Sequence, residues 1–158
     1  GCYRRIDSRI PEGTKLNILI INGPNLNLLG VREPNIYGSE TLFDVERWLN
    51  NQMEAEPHAI TWFQSNHEGR LIDRLHEAIG NIDGIIINPG ALTHYSIALR
   101  DAITAVDIPT VEVHLSDIYN REIFRKISVI KDVCVKQISG QGKSGYLDGL
   151  KKLLSTLN

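Results

Sequence analysis

Two stretches of this chain are apolar without interruption, Asn17-Ile-Leu-Ile-Ile and Gly84-Ile-Ile-Ile. Successive side chains of a strand point to opposite sides, so a strand with one wet face alternates apolar and polar residues. An unbroken run of branched aliphatics is instead the pattern of a strand covered on both faces, as in a parallel sheet. Short β-rich runs at residues 16–21, 59–64, 84–87, 110–114 and 133–138 give five strands in all. Between them lie stripes at helical spacing: Leu42, Val45, Trp48, Leu49 and Met53; Leu71, Ile72, Leu75 and Ile79; and Leu147, Leu150, Leu153, Leu154 and Leu157. Alternation of strand and helix predicts an α/β fold, a doubly wound five-stranded parallel sheet in a single domain.

The 158 residues, 42% of them hydrophobic, suffice for one core without a disulfide or a structural metal. Seventeen Lys and Arg against 19 Asp and Glu give a net charge of −2, which argues against a broad nucleic-acid footprint or a polybasic membrane anchor. Cys2 and Cys134 form no Cys-x-x-Cys pair and no zinc pattern, as expected of a reducing compartment. No apolar run approaches the ~20 residues of a membrane-spanning helix, and the first fifteen residues lack the apolar stretch of a secretory signal. A cytoplasmic location is expected. The chain opens on Gly rather than Met, and residues 1–15 are expected to be an N-terminal leader or tail.

Ligands of such sheets bind beyond the carboxyl ends of the strands, where strand order reverses. Three segments fall there: residues 22–38, 88–94 and 114–125. The first exceeds the typical ~2–6 residues of such a connection, which predicts a mobile lid. None of the seven lysines lies in the loops after the first three strands, so a Schiff-base mechanism has poor candidates. Grouped metal ligands are lacking too, and no metal is expected.

In Val111-Glu112-Val113-His114 the alternation puts Glu112 and His114 on one face. The pair is either an incidental one on a solvated face or a carboxylate steadying a proton-donating imidazole. Tyr37 shares the long first loop with Asn25 and Arg32. A tyrosine beside glycine is commonly a packing residue, and with a pKa near 10 only about 0.1% is phenolate at pH 7. A guanidinium within hydrogen-bonding distance lowers such a pKa by ~1–3 units, which would make Tyr37 a usable base. His94 and Asp101, seven residues apart, are expected on one side of a helix capped by Thr93; both could be solvated. Arg121 and Arg125, at i and i+4, are either an exposed basic edge or anchors for an anionic or hydroxylated ligand.

Gly140-Gln-Gly-Lys-Ser-Gly145 matches G-x-G-x-x-G between a strand and a helix. It keeps open an alternative, a flavodoxin-like nucleotide or flavin binding module. The dinucleotide fingerprint, however, belongs after the first strand and needs an acidic residue about 20 positions on, where this chain has already ended. Tight turning into the last helix also accounts for the glycines.

Taken together, residues 16–154 resemble the type II 3-dehydroquinate dehydratase family. The likeness rests on Asn22-Gly-Pro-Asn25-Leu, Arg32-Glu-Pro with Tyr37-Gly, Gln64-Ser-Asn-His-Glu-Gly, Asn88-Pro-Gly-Ala with Thr93-His94, Leu99-Arg-Asp101-Ala, Glu112-Val-His114-Leu-Ser116, Arg121-Glu with Phe124-Arg125, and Gly145-Tyr-Leu. It implies a flavodoxin-like fold, with 16–158 as the catalytic domain. The implied reaction is reversible dehydration of 3-dehydroquinate to 3-dehydroshikimate through an enolate, in the shikimate pathway, without metal, Schiff base or organic cofactor. Carried over by position, Tyr37 is the base and Arg32 stabilises its phenolate; His114 is the acid, with Glu112 behind it; Asn25 positions a water at the enolate oxygen. Asn88, His94 and Arg125 are similar to the family's contacts to ring hydroxyls, and the amides of Leu115 and Ser116 to its carboxylate cradle. Arg121 would assist near the lid. Asp101 resembles a residue that reaches a neighbouring subunit's site, and the family commonly forms a dodecamer. The sequence departs from the family in its longer leader, in Arg70 at a frequently acidic position, and in Gln141-Gly-Lys-Ser144.

Overall fold

The computed structural model describes residues 9–31 and 34–158, the side chains of residues 36 and 37 excepted. Five strands form one parallel sheet: β1 (Asn17–Asn22), β2 (Ala59–Gln64), β3 (Gly84–Asn88), β4 (Thr110–His114) and β5 (Lys136–Ser139), in the order β2-β1-β3-β4-β5. This is the doubly wound flavodoxin-like arrangement, whose order reverses between β1 and β3. The two uninterrupted apolar runs are the central strands β1 and β3, and every residue of β3 is buried.

Helices cover both faces. On one face, the even-numbered residues Ile18, Ile20 and Ile86 join Val111 and Val113 against α2 (Leu42–Asn50) and α5 (Ser144–Leu157). On the other, Leu19, Ile21, Ile85 and Ile87 pack against α3 (Glu68–Glu77) and α4 (Ile97–Val106). A short helix, α1 (Pro34–Tyr37), interrupts the long first loop. Helix α2 starts at a capping box, Thr41 and Asp44 exchanging side-chain-to-backbone bonds of 3.0 and 3.1 Å.

The expected elements stand with corrections at their ends. α2 stops at Asn50, so Met53 is exposed rather than part of the stripe, and α3 stops at Glu77, leaving Ile79 outside. The last strand begins at Lys136 rather than 133, because residues 131–133 wind into a 3-10 turn before the ladder opens. Residues 9–15 also touch the fold: Ile10 packs against the core, and its N–H donates to Leu157 O at 2.7 Å. No described helix is long and apolar enough to cross a membrane.

Candidate active site

The carboxyl ends of β1, β3 and β4 open into a cavity of about 180 Å³. That is below the ~300–1,000 Å³ of sites for drug-sized ligands, so it suits a small polar molecule. The first loop lines it with Pro24, Asn25, Leu26 and Leu29; the segment after β3 with Asn88, Gly90, Ala91 and His94; the segment after β4 with His114, Leu115, Ser116, Ile118, Arg121 and Arg125. The structure thus brings together Asn25, Asn88, His94, His114, Leu115, Ser116, Arg121 and Arg125. Arg32 and the side chain of Tyr37 lie outside the described residues. Asp101 is exposed on α4 and does not line this cavity.

The segments after β1 and β3 meet because Gly23 has no side chain. A Cβ there would stand 2.5 Å from Pro89 O, and the Gly23 N–H donates to Asn88 O at 2.7 Å. Beyond it Asn25 adopts a left-handed conformation, φ 71°, with its N–H bonded to Asn66 Oδ1 at 2.9 Å. Gln64 Nε2 donates to both Asn66 Oδ1 and Gly23 O at 3.1 Å, tying the loop to the end of β2. Gln64 and Asn66 received no site role from sequence reasoning. Their polar run follows β2 directly, and the rule that placed candidates after the other strands would have found them.

Asn88 is buried at the end of β3. Its Oδ1 accepts from Gly90 N–H at 3.3 Å, and its Nδ2 donates to Tyr146 Oη at 3.2 Å. Tyr146, fully buried on α5, donates in turn to Asn22 Oδ1 at 2.5 Å. Burial pushes this phenol well above its ordinary pKa, so it stays protonated and remains a donor.

No face of β4 is solvated, which removes the incidental-pair reading of Glu112 and His114. Glu112 Oε2 lies 2.5 Å from His114 Nε2, 2.6 Å from Thr93 Oγ1 and 2.9 Å from Ser128 Oγ. Burial raises the Glu112 pKa, but hydrogen bonds from His114 and Thr93 outweigh it and hold the carboxyl below its ordinary value. With Nε2–H directed at a carboxylate, His114 keeps Nδ1 as the ring nitrogen not engaged by Glu112. Thr93 is therefore no helix cap. Helix α4 starts at Ile97 with Ser96 as its cap, and His94 ends a separate 3-10 turn, so His94 and Asp101 do not share a helix face.

His94 Nδ1 lies 2.7 Å from Ile127 O, which makes it the protonated nitrogen and leaves Nε2 an acceptor. Burial is the main cause holding its pKa below the ordinary value, so the ring is neutral at pH 7. Arg121 and Arg125 are not on an α-helix. Arg125 closes a 3-10 turn, with Nε 2.6 Å from Glu122 Oε2.

The glycine-rich turn that motivated the nucleotide alternative is bonded inward, to the segment after β4. Gly140 N–H donates to His114 O and Ser116 O, and Gly142 N–H to Leu115 O, so these two amides are not available to cradle a phosphate.

A parallel sheet of this order, with acid, amide and guanidinium groups converging beyond its switch point, defines a flavodoxin-like α/β enzyme. The family model described as Dehydroquinase class II matches residues 16–154, and the chain belongs to that family. It is 55% identical over 141 residues to the 3-dehydroquinate dehydratase of Trichodesmium erythraeum, covering 89% of this chain and 94% of that protein. It is 56% identical, over 89% of this chain and 97% of the relative, to the protein of the same name from Caldicellulosiruptor saccharolyticus. The crystal structure of the type II dehydroquinase from Butyrivibrio crossotus superposes with a TM-score of 0.85 at 49% identity, covering 88% of this chain and 97% of that one.

Proposed function

We propose that this protein is a lyase that reversibly dehydrates 3-dehydroquinate to 3-dehydroshikimate, a step of the shikimate pathway. Besides its family, the observation that carries the reading is the buried Glu112–His114 pair at the wall of a small polar cavity.

The reaction needs a base at the carbon beside the ketone, an acid at the departing hydroxyl, and a partner for the oxyanion formed between these events. Tyr37 is assigned as the base, its phenolate stabilised by Arg32. It takes the proton, and the C–H electrons pass into the enolate. Asn25 holds the water that bonds the enolate oxygen. As the enolate collapses, the bond to the neighbouring hydroxyl breaks. His114 protonates the leaving oxygen, so water departs and a conjugated enone remains. Glu112 stabilises the imidazolium through a charge-assisted bond. Asn88, His94 and Arg125 hold ring hydroxyls, with His94 Nε2 accepting; the amides of Leu115 and Ser116 hold the carboxylate; Arg121 assists near the first loop. Closure of that loop would exclude water and strengthen these interactions. No metal, Schiff base or organic cofactor enters this scheme.

Assembly belongs to the same reading. A homododecamer in which the exposed Asp101 reaches the cavity of a neighbouring copy gives that residue a role its own cavity does not. Residues 16–158 are the catalytic unit, 1–15 a leader or tail, and the cytoplasm the place of action.

Purified protein incubated with chelator, or with borohydride in the presence of substrate and then freed of reagent, should still generate enone absorbance from fresh 3-dehydroquinate. Loss of activity under either treatment refutes the scheme.

A further inference from the structure

The turn between β5 and α5 bonds to the cavity from behind. Gly140 N–H lies 3.3 Å from His114 O and 3.2 Å from Ser116 O, and Gly142 N–H lies 3.0 Å from Leu115 O. Ser139 Oγ donates to Ser116 O at 3.2 Å and accepts from Ile118 N–H at 3.2 Å. Three consecutive carbonyls, 114 to 116, are thereby fastened to one turn.

The consequence follows from peptide geometry. The peptide bonds here are trans, and in a trans peptide the C=O of one residue and the N–H of the next point in opposite directions. Fixing His114 O toward Gly140 directs the Leu115 N–H away from the turn; fixing Leu115 O toward Gly142 does the same for the Ser116 N–H. Neither amide has a backbone acceptor among the described residues, and Leu115 and Ser116 both line the cavity. The turn's own conformation calls for glycine. Gly142 has φ +57° although no atom lies within 4 Å of where its Cβ would stand; Gly140 has φ +80°, and its Cβ would come 3.1 Å from Asp117 Cβ.

We infer that residues 139–142 are a positioning element for the anion-binding amides of Leu115 and Ser116: Gly140 and Gly142 orient the two amides through the carbonyls that precede them, and Ser139 Oγ, bonded to Ser116 O, pins the carboxyl side of Ser116 and so restrains the residue that carries the second amide. The glycine pattern that looks like a nucleotide loop thus serves a small carboxylate, from behind rather than by contact. This rests on the proposed function for the identity of the carboxylate, but not for the geometry.

The test uses Ser139→Ala, Ser139→Thr and Gly142→Ala in the full chain. Because the carboxylate carries the same charge before and during the reaction, a loosened cradle costs binding in ground and transition states alike, so Ser139→Ala, which removes both Oγ bonds, should raise KM for 3-dehydroquinate about three- to tenfold, with kcat within about twofold. Ser139→Thr should restore KM, and Gly142→Ala should raise it through backbone strain. Independently of turnover, malonate should shift the amide NMR signals of Leu115 and Ser116 in the unaltered protein, and several-fold less tightly in Ser139→Ala. An unchanged KM in Ser139→Ala, or equal malonate affinity in the two proteins, overturns the inference. Malonate binding at these amides without turnover of 3-dehydroquinate overturns the proposed function and leaves the positioning element standing.

Discussion

Glu112 Oε2 sits 2.5 Å from His114 Nε2 in a carboxylate that is wholly shielded from solvent. Its depressed pKa fixes the sign of a stability effect. A carboxyl whose native pKa lies below its unfolded value near 4.5 stabilises the fold fully above that pH, and the contribution is lost as pH falls through the native value. Glu112→Gln should lower kcat/KM about 10²-fold by depopulating the imidazolium that donates the proton, and should cost about 1.5–3 kcal/mol of stability at pH 7. Thermal melts of the two proteins should converge below about pH 4.5. A gap that persists into acid contradicts the ionised carboxylate.

Arg32 and Arg125 are assigned different work. A guanidinium that stabilises a phenolate acts on the chemical step, so Arg32→Ala should lose kcat more than affinity. Arg125, whose side chain lines the cavity, should on substitution by Ala raise KM chiefly. Tyr37→Phe should reduce kcat by about 10²–10⁴-fold while binding persists. Steady-state kinetics with product binding by calorimetry separates these; equal losses in kcat and KM for both arginine variants would defeat the division.

Two histidines should make the fold sensitive to mild acid. His58 Nδ1 accepts the Leu16 N–H at 3.0 Å, just before β1 begins, and His94 Nδ1 donates to Ile127 O at 2.7 Å. Burial lowers both pKa values from 6.5. The unfolded chain therefore takes up protons first, and stability is lost as pH drops below 6.5 toward the native values. Melting temperature should fall between pH 6.5 and 5. His58→Asn, whose Oδ1 can take the same N–H without titrating, should flatten part of that slope; an identical slope would remove His58 from the account.

How much of this was legible in the sequence follows from the kind of signal each residue carries. β1 and β3 announce themselves because burial on both faces leaves no polar position, and Glu112 and His114 because two-residue spacing is a local rule. β5 was placed too early, because its valine-rich approach winds into a local turn, Val133 N–H to Ile130 O and Cys134 N–H to Lys131 O, before Val135 N–H reaches Thr110 O on the neighbouring strand. Ser128 holds Glu112 from 16 residues away and Tyr146 holds Asn22 from 124 residues away. No pattern along the chain encodes such pairings. The expected helix through His94 failed because Thr93 serves Glu112 rather than the backbone of its own segment.

Tyr146→Phe isolates one of these distant contacts. The change preserves the packing against Trp62, whose ring centroid is 5.6 Å away, and deletes only the hydroxyl. Asn22 Oδ1 and Asn88 Nδ2 then lose their buried partner, at a cost of about 1–3 kcal/mol. Because Asn88 lines the cavity, its freed amide should also raise KM. Urea unfolding alongside kinetics reads both; a stable variant with normal KM would show the phenol to be dispensable.

Asp101 supplies the test of assembly. It is exposed on α4, outside the lining of its own cavity, yet it is assigned to substrate binding. Both hold only if it acts across an interface. Asp101→Ala and Tyr37→Phe homomers should then each be poorly active. Unfolding the two together and refolding them as mixtures should regain activity, because a cavity with an intact Tyr37 can meet an intact Asp101 from its neighbour. For a random 1:1 mixture about a quarter of the cavities combine the two intact residues, which sets the recovery near a quarter of the unaltered specific activity. Dilution that dissociates the particle, followed by light scattering, should abolish activity in step with size. If the mixture is no more active than the mean of its parents, or if dissociated subunits turn over at full rate, Asp101 does not reach a neighbour's cavity.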